Sequence, residues 1–358
     1  MLCSSARCPA ILTKSAISFV PIKPLRRKAS VLYILDSILL DWSAMEPLGP
    51  STFAQRRRVE MLRFDGKVAL VTGAGRGLGR SHALLLASRG AAVVVNDLGG
   101  KTSGSGSSRE PAEAVAAEIR AAGGRAVADF NDVTTDAESL VKTAIDEFGR
   151  LDIVVNSAGI NLLSPYGPSV MEQIKLQMNV NFFGSAAVIA AAWPYLVESG
   201  AGRIVNTASP TLVGFDSQTA YVASKGAVFA FTRTLAIEAD RVGIKVNAIA
   251  PTAYTRMAEE ADLPRSLKDT LKASMTTEMV SPMVAFFAHE DCPVTGETWL
   301  SQGGLMQRFG LGLNEGYANP EATPEDVQAN WEKIFDRSTD EPIDIVTKAG
   351  SIVDLLES

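Results

Sequence analysis

Tyr221 and Lys225 stand four positions apart. If the chain around them is helical, both side chains emerge on one face, one turn from each other. A free tyrosine has a pKa of about 10, and a neighbouring ammonium favours its phenolate, which brings proton exchange with an alcohol or ketone oxygen nearer neutral pH. Taken alone, the same spacing also describes an ordinary solvated helix face. The rest of the chain has to decide between the two.

A second cluster lies far upstream. Thr72 to Gly79 reads TGAGRGLG and falls between a β-branched run at Lys67–Thr72 and a helical stretch from Gly77 to Ser88. At such a junction the backbone amides of the helix N-terminus point at whatever fills the turn, which suits a pyrophosphate. Gly73, Gly77 and Gly79 remove the side chains that would block the diphosphate and keep helix from strand. Leu78 stands where the G-x-G-x-x-G fingerprint has its third glycine, and Arg76, inside the turn, reads either as solvent-exposed or as a partner for a 2′-phosphate. Asp97 ends the next β-branched run, 18 residues beyond Gly79. A carboxylate there accepts hydrogen bonds from ribose hydroxyls and repels a 2′-phosphate, so NAD is expected in preference to NADP.

Both clusters need a scaffold, and the pattern supplies one. Short apolar runs alternate with alanine-rich amphipathic stretches, the signature of strand–helix–strand crossovers. Strands are expected at 67–72, 92–96, 126–130, 151–155, 203–206, 244–249 and 298–300. Helices are expected at 77–88, 111–122, 136–148, 170–198 and 220–240. The strands are continuously apolar, so both of their faces must be covered. The expected fold class is therefore α/β, a Rossmann-type doubly wound parallel sheet of about seven strands in a single domain over residues 62–308. Residues 98–111 are rich in glycine and serine and read as a mobile surface loop. In the extension over residues 309–358, Thr323-Pro-Glu-Asp326 signals one amphipathic helix. It would carry Val327, Trp331, Ile334 and Phe335 on the face that packs against the domain or a neighbouring subunit.

Composition narrows the function classes. The net charge of −6 over 358 residues provides no basic field for nucleic acid, and a small-molecule substrate is expected. Three cysteines and two histidines, widely spaced, suggest neither a disulfide framework nor a metal site. The apolar run at 31–40 is broken by Asp36 and too short to span a bilayer, so no membrane span is expected. Residues 1–61 read as a disordered, targeting or artefactual leader. The cytoplasm is the expected location, with the mitochondrial matrix as the alternative if residues 1–45, basic and rich in serine over their first 35, are a transit peptide.

The glycine turn, Asn156-Ser-Ala-Gly159, a serine after the fifth strand and Tyr221-x-x-x-Lys225 together resemble the short-chain dehydrogenase/reductase family over residues 62 to about 305. The resemblance implies that Tyr221 is the general acid or base and that Lys225 lowers its pKa and holds the nicotinamide ribose. It also implies that Ser209 hydrogen-bonds the reacting oxygen and that Asn181 organises a proton-relay water. Thr72, Gly73, Arg76, Gly77, Leu78, Gly79, Asp97, Asp132, Val133, Asn156, Ala158, Gly159, Pro251 and Thr255, with Tyr221 and Lys225, would line the cofactor. One departure stands out: Ser209 is 12 residues before Tyr221, where many members have 13, which implies a one-residue shortening of the loop between them.

Several stretches, among them Val94-Val-Asn-Asp-Leu-Gly-Gly100 and the tail around Trp331, are similar to one branch of that family, the (3R)-hydroxyacyl-CoA dehydrogenase modules of peroxisomal multifunctional enzymes of type 2. The leading expectation is an NAD-dependent oxidoreductase that interconverts a secondary alcohol and a ketone on a 3-hydroxyacyl-CoA-like or other apolar substrate. A freestanding bacterial-type relative, an NADPH-dependent 3-oxoacyl reductase and a non-catalytic nucleotide-binding scaffold are the alternatives. Tyr254, Met257 and Leu263, after Pro251, read as an apolar substrate loop or as plain core. The resemblance further implies a homodimer or homotetramer built on the long helices.

Overall fold

In the computed structural model, residues 61–260 and 264–342 are described. The continuously apolar runs become strands, and those at the centre of the sheet are covered on both faces. The chain order is β1 (Val68–Thr72), α1 (Gly77–Ser88), β2 (Ala92–Asn96), α2 (Glu110–Ala121), β3 (Arg125–Asp129), α3 (Ala137–Phe148), β4 (Ile153–Asn156), α4 (Val170–Glu198), β5 (Arg203–Thr207), α5 (Thr219–Asp240) and β6 (Lys245–Thr252). It continues through α6 (Arg256–Glu260), α7 (Arg265–Ser274), α8 (Ser281–Ala288), β7 (Thr298–Gln302) and β8 (Leu305–Phe309). Every residue of β1, β2 and β4 is buried.

The sheet order is β3-β2-β1-β4-β5-β6-β7-β8, parallel through β7, with Ala69 opposite both Val93 and Ile153. Successive side chains alternate across the sheet. Ala69, Val71, Val93 and Val155 meet Leu86 of α1, Ile119 of α2 and Phe287 of α8 in one core. On the other face Val68, Leu70, Val94 and Ile204 meet Leu140 of α3, Leu196 of α4 and Ala236 of α5. Leu86 is wholly buried, so its truncation to alanine would cost about 2–5 kcal/mol. By length and composition α4 could cross a membrane, yet Val188, Ile189, Ala192 and Leu196 pack into the second core.

The eighth strand was not expected from the sequence. β8 folds back antiparallel on β7 through Gly303 and Gly304, whose φ angles of 52° and 85° belong to the two-residue turn that strand twist favours. Helix α4 is also interrupted, by a π-helical turn at Asn179–Gly184. The loop after Asp97, expected to be a mobile surface loop, is compact. Lys101 N–H donates to the Ser105 carbonyl and Ser108 N–H to that of Leu98, while Thr102 Oγ1 donates to Glu260 Oε2 of α6 at 2.5 Å.

In the extension, the single expected helix divides at Asn330 into α9 (Pro324–Ala329) and α10 (Trp331–Ile334). The Thr323–Asp326 capping box forms as its residues predict. A short antiparallel pair, β9 (Gly312–Leu313) with β10 (Glu341–Pro342), brackets the unit. Its apolar face is not covered within the described residues: Trp331 and Phe335 stack on each other at 5.8 Å and stay 55% and 63% exposed. The proposed leader, apart from Met61, and Leu263 lie outside the described residues, as does the side chain of Met257.

Candidate active site

β1 and β4 are neighbours, but the chain leaves them toward opposite edges of the sheet, so a crevice opens at their carboxyl ends. Thr72, the last residue of β1, closes its floor: Oγ1 accepts the N–H groups of Ser157 and Ala158, each at 3.1 Å. Gly73 has a φ of +63°, and a Cβ there would lie 2.8 Å from Ala158 Cα; one at Gly79 would lie 2.2 Å from the Gly73 carbonyl oxygen. These two positions let β1, α1 and the segment after β4 converge, and Gly79 makes the close approach that a third fingerprint glycine at position 78 would make. Leu78 packs against the core instead.

Helix α1 begins at Gly77, and Arg76 before it gives no side-chain cap; its first turn holds no acid. Its first amides and positive dipole end are therefore free for an anion. The cradle fits a diphosphate in shape, where a side chain would fill it, and in charge. Asp97 has a part that spacing did not reveal: Oδ2 accepts Gly75 N–H at 2.8 Å and Oδ1 accepts Gly99 N–H at 2.6 Å. It clamps the glycine turn from below, and each oxygen keeps a lone pair for a ribose hydroxyl. Thr255 lies across the turn, its Cγ2 3.7 Å from where a Gly77 Cβ would be, and Pro251 sits near the end of β6. Asp132 Oδ1 accepts both the N–H and the hydroxyl of Thr134, and Val133 packs into the space left by Gly184.

Asn156 departs from its expected place at the cofactor. It is 2% exposed, and its Nδ2 donates to Asn206 Oδ1 at 3.0 Å, bracing β4 to β5 beneath the crevice. Gly159 does border the site: a Cβ there would lie 3.1 Å from Asn181 Oδ1 and 3.6 Å from Lys225 Nζ. Asn181 sits in the π turn, its Oδ1 accepting Ile160 N–H at 2.8 Å. Its Nδ2 donates to the Ile160 carbonyl at 3.0 Å and to Ser224 Oγ at 2.9 Å. Tyr221 and Lys225 occupy the start of α5, with Lys225 Nζ donating to the Thr207 carbonyl at 2.7 Å and lying 5.8 Å from the Tyr221 ring centre.

Ser209 follows β5 and caps the 3-10 turn behind it, its Oγ accepting Thr211 N–H at 3.2 Å. The segment between Ser209 and Tyr221 passes through a tight 3-10 turn at Pro210–Val213 and through Ser217, which takes a φ of +59°. That left-handed conformation is uncommon for a residue with a Cβ. Spacing alone also missed Gln177, fully buried, whose amide exchanges two hydrogen bonds with the backbone of Leu162, and Thr211, which bonds Ser209.

The electrostatics differ from expectation. Burial raises the Tyr221 phenol above its ordinary 10, and the opposing influence is the Ser209 hydrogen bond, not the Lys225 charge. Lys225 is 4% exposed, and burial pulls its ammonium down to about 8. It still carries its proton at neutral pH, but it spends a hydrogen bond on the Thr207 carbonyl and stands off from the ring.

A parallel sheet with an anion cradle at its switch point and a Tyr–Lys–Ser group beside it defines a nucleotide-dependent oxidoreductase, and residues 67–265 match the short chain dehydrogenase family. The chain belongs to that family, whose members bind a nicotinamide dinucleotide and act on CH–OH groups. It is 42% identical over 303 residues to the peroxisomal multifunctional enzyme type 2 of Mus musculus, covering 82% of this chain and 40% of that protein. The full-length structure of the Drosophila melanogaster enzyme of that name superposes with a TM-score of 0.67 at 32% identity, over 83% of this chain and 50% of that one. A 7α-hydroxysteroid dehydrogenase complexed with NADH and 7-oxo glycochenodeoxycholic acid matches with a TM-score of 0.61 at 28% identity, over 68% and 95% of the two chains. The chain thus spans half or less of these two multifunctional enzymes.

Proposed function

We propose that the protein is an NAD-dependent dehydrogenase of 3-hydroxyacyl-CoA, with Tyr221, Lys225, Ser209 and Asn181 as its reactive group. The observation that carries this reading is the placement of Tyr221 one helical turn from Lys225, whose Nζ reaches the Thr207 carbonyl at the end of β5 and borders Gly159. The bound nicotinamide supplies the hydride acceptor. Tyr221 takes the proton of the substrate hydroxyl through its Oη, and Ser209 donates a hydrogen bond to the same oxygen. Lys225 keeps positive charge at the site, and Asn181 holds the Ile160 backbone that borders it.

Asp97 supports NAD over NADP, since a 2′-phosphate would meet its carboxylate. Arg76, partly exposed in the cradle, favours the second reading, an NADPH-dependent 3-oxoacyl reductase. The similarity to peroxisomal multifunctional enzymes supports the thioester substrate. Met171, Leu176, Phe183 and Val197, exposed on α4, support a homodimer or homotetramer formed through the long helices. The location proposed is the cytoplasm, or the mitochondrial matrix if residues 1–45 direct import; a fluorescent fusion to residues 1–60 decides between them.

The test is a panel of 3-hydroxyacyl-CoA, steroid and sugar alcohols with NAD and with NADP, read at the reduced-nicotinamide absorbance. Tyr221→Phe should lose turnover by at least a hundredfold and keep NAD binding. Substantial turnover in that variant removes the proton path, and a strong NADP preference removes the role of Asp97.

A further inference from the structure

We propose that Thr211 is a positioning residue that fixes Ser209 as a hydrogen-bond donor toward the reacting oxygen. The inference rests on the role of Ser209 proposed above and concerns how that role is enforced.

A serine hydroxyl has one proton to give and two lone pairs to fill. In an isolated site its proton turns to whichever acceptor is nearest, and a Ser209 that gave its proton away elsewhere could not also polarise a substrate oxygen. Thr211 surrounds that hydroxyl from within the 3-10 turn. Its backbone N–H donates to Ser209 Oγ at 3.2 Å, which fills one lone pair. Its hydroxyl lies 2.8 Å from the same oxygen. With the Thr211 hydroxyl as donor, both Ser209 lone pairs are filled, and the Ser209 proton is directed away from the turn, to the Tyr221 side.

That side is where it is useful. Ser209 opposes the effect of burial on Tyr221, as a group that donates to a phenolate does. The reverse polarity, Ser209 donating to Thr211, would leave Tyr221 with an acceptor at its side and the phenolate without that support. The turn that sets this geometry begins at Pro210, whose ring fixes φ, so Thr211 is presented to Ser209 by backbone as well as by side chain.

The experiment compares Thr211→Val, which keeps shape and the backbone N–H but removes the hydroxyl, with Thr211→Ser, which restores it. Ser209→Ala and the native protein are run alongside, with 3-hydroxydecanoyl-CoA and NAD as substrates and thermal unfolding as the fold control. Thr211→Val is expected to lower kcat about tenfold with little change in KM, because one hydrogen bond is worth on the order of that factor. The limb of the pH profile assigned to Tyr221 should move up by about one unit. Thr211→Ser should recover both.

Native kcat and an unmoved pH profile in Thr211→Val, with Ser209→Ala inactive, overturn the inference and leave the role of Ser209 standing. An equal loss in Thr211→Val and Thr211→Ser also overturns it, since the hydroxyl would not then be the cause. Full activity in Ser209→Ala removes the role of Ser209 and this inference with it.

Discussion

Acid should unsettle this fold through one buried imidazole. His82, in the second turn of α1, is 1% exposed; its Nδ1 meets Ser281 Oγ at 2.8 Å, while Nε2 is buried without a hydrogen-bond partner. Burial drops its pKa from 6.5 to about 3. The unfolded chain therefore binds a proton below pH 6.5 that the native protein refuses until about pH 3, and stability falls as pH falls through that window. The slope from this group is about 1.4 kcal/mol per pH unit, so by pH 4.5, two units below 6.5, it amounts to about 2.7 kcal/mol, and by pH 3 to about 5 kcal/mol. His82→Asn keeps a polar partner for Ser281 but does not titrate in this range. Urea unfolding of both proteins from pH 7.5 to 4.5 should give curves whose separation changes by about 2.7 kcal/mol in favour of the variant. With two histidines in the chain, NMR can follow His82 directly. A His82 resonance that titrates near 6.5, or parallel pH dependences in the two proteins, would refute the reasoning.

Other outcomes follow from the site. Gly79→Ala drives a Cβ to 2.2 Å from the Gly73 carbonyl, so α1 must shift; NAD affinity by calorimetry should fall at least tenfold, with about 1–3 kcal/mol lost from stability. Native affinity would show that the turn does not hold the cofactor. Asp97→Ser removes the repelling charge and should raise the NADP-to-NAD ratio of kcat/KM by tenfold or more, a difference of about 1.4 kcal/mol; an unchanged ratio places selectivity elsewhere. Lys225→Met concerns alkaline pH. The native ammonium titrates at about 8 against 10.5 in the unfolded chain, so the native protein gains about 3 kcal/mol as pH rises across that interval. The variant should lack that gain in denaturant titrations at pH 8 and pH 10.5.

The features read correctly from sequence are those set locally. Glycines between a strand and a helix, an acid at a strand end and a Tyr–Lys pair at helical spacing each act within one or two turns of chain. The seven parallel strands were legible because continuous apolar runs need cover on both faces. β8 is different: Leu305–Phe309 is largely exposed, so burial leaves no pattern, and its one readable signal was the Gly303-Gly304 pair. The place of Asn156 depends on Asn206, 50 residues away, and that of Thr211 on the 3-10 turn that Ser209 caps. For Tyr221 the helical neighbour Lys225 is legible in the sequence, whereas desolvation, the larger effect on its phenol, depends on the folded surroundings. Thr102 reaching Glu260 closes 158 residues of chain, beyond any periodicity.

The π turn in α4 works as a phase adjuster. A regular α-helix advances 100° per residue, and one residue of slack lets the two halves of a long helix face their own neighbours independently. The second half seats Val188, Ala192 and Leu196 on the sheet, while Asn181 within the turn meets Ile160 and Ser224. Removing Val180 would take out that slack and force a choice: the sheet keeps its cover or Asn181 keeps its partners. A variant lacking Val180 that unfolds at the native temperature but turns over slowly would show which of the two the chain gives up.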